Sequence, residues 1–281
     1  MPFVNQVKSF LDRPGVRPIL GPIVSQMARA RRHGVAKISY DDGVWIHHTK
    51  TGYFAYHQPY VRLDLPRLDA VAKENFFWKY TPRSGDCIVD VGAGVGEETL
   101  TFSRAVGPMG KVVCVEAHPR TYHCLQKLIS YNRLSNVIAL HVAATEPFCS
   151  NATIEDSEEY LGNRSHTVRG LSVPATTIDA ICANLNLGRI DFLKMNIEGA
   201  ERFAIQGMRE TLRQTSVVCI SCHDFLAHSA RDEDLRTKAL VQRFLEQNNF
   251  NVLARAQPLL PPYLRDQVWG YNTTIHRNLP F

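Results

Sequence analysis

At 281 residues and 31.7 kDa the chain has room for one large domain or two small ones. Its 44% apolar and 21% charged content is that of an ordinary globular protein and argues against a disordered or fibrous chain. The net charge of +5 is concentrated: residues 1–40 carry seven Lys and Arg against the single acid Asp12, and the remainder nets −1.

Along the chain, the opening MPFVNQVKSFLDRPG is broken by Lys8, Asp12 and Arg13 before an apolar run forms, so no secretory leader is expected. No stretch reaches the ~20 apolar residues of a membrane span. Ile19, Ile23 and Met27 recur at i, i+4 and i+8 with Leu20 and Val24 beside them. That spacing predicts a short amphipathic helix, packed on the body or on a partner, a homodimer through this region being one such case. Val44-Trp45-Ile46 and Tyr53-Phe54-Ala55-Tyr56 read as a hairpin around Gly52, with His47, His48 and His57 as surface strand residues. Residues 1–73 then form a basic arm and hairpin appendage to a main domain over 74–281.

From residue 85 onward, β-rich apolar runs alternate with segments of helical period. Strands are expected near 87–92, 111–117, 137–144, 189–197, 216–222, 250–256 and 268–276. Helices are expected near 97–107, 120–134, 176–186, 200–214 and 231–249. Near-continuous apolar strands interleaved with helices indicate an α/β fold with a parallel sheet covered on both faces. The last two strands have no helical stretch between them, which predicts an antiparallel pair at one edge. Residues 147–173, with Glu155, Asp156, Glu158 and Glu159, read as an insertion or lid. Seven cysteines, an odd number, suggest a reduced cytoplasmic protein. Cys219-Ile-Ser-Cys222-His223 matches a haem-attachment spacing, but it ends a strand-like run and has no second Cys/His pair for zinc. Both cysteines are therefore read as buried strand residues, with no metal site expected.

The chemistry is carried by Asp90-Val-Gly92-Ala93-Gly94-Val-Gly96-Glu97, between the first strand of this domain and its helix. Glycines there allow a tight turn and close backbone approach to a ligand at a helix N-terminus. A dinucleotide fingerprint would need its third glycine at 97, where this chain has Glu97, so a nicotinamide oxidoreductase is disfavoured. Acids around the loop repel a pyrophosphate but suit a cationic, amino-acid-bearing ligand. The next strand ends at Glu116-Ala117, where the carboxylate is placed to accept hydrogen bonds from two ribose hydroxyls. The implied ligand is an adenosine bearing an ammonium and a sulfonium.

A second cluster, Lys194-Met-Asn196-Ile-Glu198-Gly199, ends the fourth strand at the carboxyl edge of the sheet, where open α/β folds bind ligands. Together with D-V-G-A-G-V-G, with Val173-Pro-Ala-Thr-Thr-Ile-Asp179 and with Trp269-Gly-Tyr-Asn272, it resembles the FkbM family of class I S-adenosylmethionine-dependent methyltransferases over about residues 74–277. That resemblance implies a Rossmann-like fold with a seven-stranded, mostly parallel sheet and an antiparallel edge strand. It implies S-adenosyl-L-methionine as cofactor and methyl transfer to a hydroxyl of a sugar or polyketide-type metabolite. Carried over by position, Asp90, Gly92, Gly94 and Glu97, with Ala93 between them, would hold the methionine part. Glu116 would hold the ribose, and Ala117, Ala143 and Ala144 would lie near the adenine. The family motif reads K-x-D-x-E-G, so Asn196 replaces an expected aspartate.

A neutral amide orients a substrate or contacts the cofactor but is no carboxylate base. His223 is then the expected general base, with Glu198 as the fallback and Glu201 as a cap of the following helix. The rival readings are nitrogen methylation of an amide or amine in a peptide natural product, and a binding protein without catalysis. Nucleic acid is not an expected partner, because the main body nets −1 and lacks an aromatic-basic stripe.

Overall fold

In the computed structural model, residues 15–30, 34–60, 65–156, 170–228, 230–255 and 257–275 are described. The chain starts with helix α1 (Arg17–Ala30) and a meander of β1 (Val35–Asp41), β2 (Val44–Thr49) and β3 (Gly52–Tyr56). Helix α2 (Leu65–Phe76) leads into the main sheet. Its strands are β4 (Cys87–Val91), β5 (Lys111–Glu116), β6 (Val137–His141), β10 (Ile190–Met195), β11 (Thr215–Ser221), β12 (Phe250–Ala254) and β13 (Gln267–Asn272). Between them lie helices α3 (Glu97–Val106), α4 (Pro119–Asn132), α5 (Ile178–Asn184), α6 (Glu201–Ala204), α7 (Arg209–Arg213) and α8 (Lys238–Gln247). Beside the main sheet, β7 (Ala143–Ala144), β8 (Asn151–Ile154) and β9 (Leu171–Thr176) form a small sheet of three strands.

The seven strands lie in the order β12-β13-β11-β10-β4-β5-β6. All neighbours pair in parallel except β13, which is antiparallel to β12 and β11 and so makes the expected antiparallel pair at that edge. β-branched runs such as Cys87-Ile-Val-Asp-Val and Lys111-Val-Val-Cys-Val explain the strands, because helices on both faces leave no solvated side. The chain leaves β4 in one direction through β5 and β6, then returns to β4's other flank with β10. That reversal opens a crevice between β4 and β10 at the carboxyl edge, which is where the site lies.

The expected strand over 137–144 breaks at Val142, after which Ala143 and Ala144 pair with Ala175 and Thr176 of β9. The segment read as a lid is partly sheet, β8 against β9, while 157–169 fall outside the described residues. The helix expected over 200–214 is broken into α6, a 3-10 turn and α7. The hairpin is a three-stranded meander, its first strand unforeseen. His47 is fully buried rather than on the surface. Cys219 and Cys222 are buried, as expected, with free thiols.

The meander is not a loose appendage. Trp45, Ile46, Phe54 and Tyr56 share one core with Val95 and Leu100 beside the glycine loop and with Cys124 and Leu128 of α4. Asn132 of α4 locks β3 in place, donating to the Tyr53 carbonyl at 2.7 Å and accepting the Tyr53 N–H at 3.0 Å. Helix α1 lies on β1 through Leu20, Gly21, Val24 and Ser25, and Ser25 Oγ bonds the backbone of Ile38. Ile19, Ile23 and Met27 face outward on the opposite side of the helix, Ile19 71% exposed and Ile23 54%. No helix among the described residues is long and apolar enough to cross a membrane.

Candidate active site

The crevice is lined by the glycine loop, the ends of β5 and β10, and Ala144 and Ile154 from the small sheet. The loop forms because two N–H groups, of Gly92 and Ala93, donate to the Val115 carbonyl at 2.8 and 3.1 Å, folding the chain back over β5. Gly92 has φ +78, and a Cβ there would sit 2.0 Å from the Asn196 carbonyl oxygen. The loop and the β10 turn can therefore approach only through glycine. At Gly94, φ +60, a Cβ would meet nothing within 4 Å, so this residue leaves open space on the cleft side of the loop.

Beneath the loop lies a buried ion pair. Asp90 and Lys194 are register partners on β4 and β10, and Lys194 Nζ is 2.8 Å from Asp90 Oδ1 and donates to the Gly92 carbonyl at 2.8 Å. Neither side chain is more than 1% exposed. Burial alone would lower the Lys194 pKa, but Asp90 and Glu98 outweigh it and hold the ammonium above its ordinary value. Asp90 therefore supports the loop from below and is not among the residues bordering the cleft.

Glu116 receives the N–H of Gly94 at 2.9 Å on Oε2 and that of His118 at 2.8 Å on Oε1. Burial raises its pKa, and those two N–H groups partly offset the rise. Glu97, the first residue of α3, lines the cleft and accepts a hydrogen bond from the Tyr56 hydroxyl at 2.7 Å. Glu98, which sequence reasoning did not single out, lines it too, and burial pushes its carboxyl up to about 7. His118 borders the cleft at the start of α4, with Nε2 3.3 Å from Asp156. Burial lowers its pKa, and the contact with Asp156 partly opposes that shift.

At the β10 turn, Asn196 Oδ1 is buried with no hydrogen-bond partner among the described residues. Glu198 lines the cleft with φ 52, a left-handed conformation that a non-glycine residue adopts only where its surroundings impose it. Its Oε2 lies 3.2 Å from His223 Nε2, and His223 Nδ1 is 3.5 Å from Glu201 Oε1. Glu201, the acid in the first turn of α6, is fully buried and accepts the Ile197 N–H and the Thr237 hydroxyl. Burial alone would lower the His223 pKa, but hydrogen bonds and charge from Glu198 and Glu201 raise it to about 10. That environment favours the protonated ring, which has no free lone pair to take a proton and so does not suit the expected general base. His223 is also absent from the lining. Because the folded pKa lies above the ordinary 6.5, the triad's contribution to stability is complete below that value and vanishes as pH rises through about 10. His223→Leu is therefore expected to flatten the fall of urea-unfolding stability between pH 6.5 and 10.

Of the residues expected at the site, Gly92, Ala93, Gly94, Glu97, Glu116, Ala117, Ala144, Asn196 and Glu198 border one cleft. Ala143 does not: it packs with Ala152, Val173 and Ala175 inside the small sheet. Neither Lys194, inside an apolar strand, nor Tyr56, in the N-terminal meander, carries a signal in the sequence that marks it for the site. Four carboxylates, Glu97, Glu98, Glu116 and Glu198, line the cleft, while its one lining ammonium is neutralised by Asp90. Such a cleft repels phosphates and suits an ammonium and a sulfonium. The unpartnered Asn196 oxygen and the open side of Gly94 fit the amino-acid end of such a ligand.

The family model for the methyltransferase FkbM domain matches residues 90–251, more than half of the chain. Among solved structures, the chain is similar to the methyltransferase FkbM from Methylobacillus flagellatus KT, at 18% identity over 71% of this chain and 47% of that one, with a TM-score of 0.48. The chain thus spans about half the length of that protein. It is also similar to Aeropyrum pernix fibrillarin with natively bound S-adenosyl-L-methionine (15% identity, 84% and 98% covered, TM-score 0.45). A further likeness is to an S-adenosylmethionine-dependent methyltransferase from Aquifex aeolicus (14% identity, 75% and 98% covered, TM-score 0.44). No curated protein matches it in sequence. On the match over residues 90–251, the chain belongs to the FkbM family of S-adenosylmethionine-dependent methyltransferases.

Proposed function

We propose that the chain methylates a hydroxyl of a small or medium-sized metabolite, a polyketide, sugar or similar natural product. Bound S-adenosylmethionine supplies an already activated methyl group, so the protein's task is to align the acceptor and take its proton. Glu116 would hold the ribose and Glu97 the ammonium, with Asn196 Oδ1 orienting the amine or the acceptor. The observation that carries the oxygen assignment is Glu198, a carboxylate in a left-handed turn that His223 holds against the cleft. Glu198 would accept the hydroxyl proton, and His223 would act as a positioning residue for it.

The test is methyl transfer from labelled S-adenosylmethionine to panels of hydroxyl and amine acceptors. Glu198→Gln is expected to lower turnover by roughly 10²–10⁴-fold, the usual worth of general-base catalysis, with cofactor affinity little changed. A variant as fast as wild type would instead favour nitrogen methylation of an amide or amine, which Asn196 in place of a carboxylate also suits. In the cofactor site, Glu116→Ala is expected to weaken S-adenosylmethionine binding by ~1–3 kcal/mol in calorimetry, the cost of leaving buried hydroxyl partners unmet.

A further inference from the structure

Tyr56 lies at the end of β3, outside the matched span of residues 90–251, yet its hydroxyl donates at 2.7 Å to Oε1 of Glu97, which lines the cleft. The ring is fully buried. It is held edge-on by His47 and by Tyr60, each with ring centroids 5.1 Å away. Burial pushes the His47 pKa down to about 4, so this ring packs on Tyr56 in its neutral form. Val95, two residues before Glu97, belongs to the same apolar cluster as Tyr56, Trp45 and Phe54. The N-terminal sheet therefore touches the glycine loop twice, once by packing and once by a hydrogen bond to a charged group.

A glutamate at the start of a helix has three rotatable bonds and a solvated alternative along the helix end. Hydrogen bonding one oxygen to a rigid phenol fixes the rotamer and leaves the second oxygen a defined direction. We infer that Tyr56 is a positioning residue for cofactor binding, fixing the Glu97 carboxylate that receives the ligand's ammonium, and that the N-terminal sheet is part of the cofactor site. This rests on the reading of Glu97 as a cofactor ligand.

The experiment is a double-mutant cycle, read by calorimetry with S-adenosylmethionine and with S-adenosylhomocysteine, which carry the same ammonium. Tyr56→Phe keeps the ring and removes only the hydroxyl, and it is expected to weaken both ligands about tenfold. Tyr56→Phe combined with Glu97→Gln is expected to be no weaker than Glu97→Gln alone, because the two residues act as one unit. Tyr131→Phe is the control: its hydroxyl makes an equivalent bond to Asp41 Oδ2 at 3.1 Å, tying α4 to the meander. Its affinity for both ligands should equal that of wild type. If Glu97→Gln weakens binding while Tyr56→Phe does not, the positioning role falls and the reading of the cleft stands. Additive effects in the double variant would also overturn the inference. Unchanged affinity in Glu97→Gln would overturn the reading of Glu97 and the inference with it.

Discussion

Gly92→Ala is expected to destabilise the protein by about 2–5 kcal/mol and to abolish S-adenosylmethionine binding. Two costs combine. A left-handed backbone angle, φ +78 here, costs a residue with a Cβ roughly 1–2 kcal/mol. The new methyl would also lie 2.0 Å from the Asn196 carbonyl and 2.8 Å from Ile197 Cγ2, and overpacking of this kind costs about 1–3 kcal/mol. The atom it strikes is backbone at the end of β10, so relief requires the two halves of the crevice to move apart. Urea unfolding measures the first effect and calorimetry the second. Gly94→Ala is the internal comparison, since its methyl meets nothing within 4 Å and only the dihedral cost of ~1–2 kcal/mol remains. Equal stability of the two variants would show that the close approach at Gly92 is not as tight as described.

Lys194→Met is expected to cost about 3–5 kcal/mol, the penalty for leaving a buried charge without its partner. Asp90 is completely buried, and Lys194 is the cation at 2.8 Å from it. The same substitution removes the donor to the Gly92 carbonyl, so the glycine loop loses its tether. The double variant Asp90→Asn with Lys194→Met should lie well closer to wild type, because a neutral pair leaves no buried charge to compensate. The single variant should also gain stability on acidification. An unpartnered buried aspartate has a raised folded pKa, so its penalty is lifted as protonation neutralises it. A single variant as stable as wild type at pH 7 would mean that water reaches Asp90.

The sheet was legible because its strands are buried on both faces and therefore read as short β-branched runs, as in Cys87–Val91 and Lys111–Glu116. The glycine loop and Glu116 were legible for a related reason: a cofactor-binding turn joins fixed residue types to a strand end at fixed spacing. The role of His223 was not. Its protonation state depends on Glu198, in the turn after β10, and Glu201, at the start of α6, and strand ends adjacent in space leave no mark in the linear order. Tyr56 was hidden likewise, lying 41 positions from Glu97. In α1 the helical period is plain in the sequence, but two apolar stripes share that helix. Spacing alone does not say which is chosen; small residues do, since Gly21 and Ser25 let Leu20 and Val24 approach β1.

The placing of β13 determines where the protein can be cut. The matched span starts at Asp90, within β4, and stops at Asn251, one residue past the start of β12. A fragment trimmed to those limits would lose β13, the strand joining β11 to β12, and with it the buried Trp269 that stacks on Phe192. It would keep only two of the five residues of β4, the strand beneath the glycine loop, and none of the meander that packs against Val95, Leu100 and α4. The unit of family resemblance is thus smaller than the unit of folding. Excising the former should yield an aggregating chain with exposed strand edges rather than a minimal enzyme.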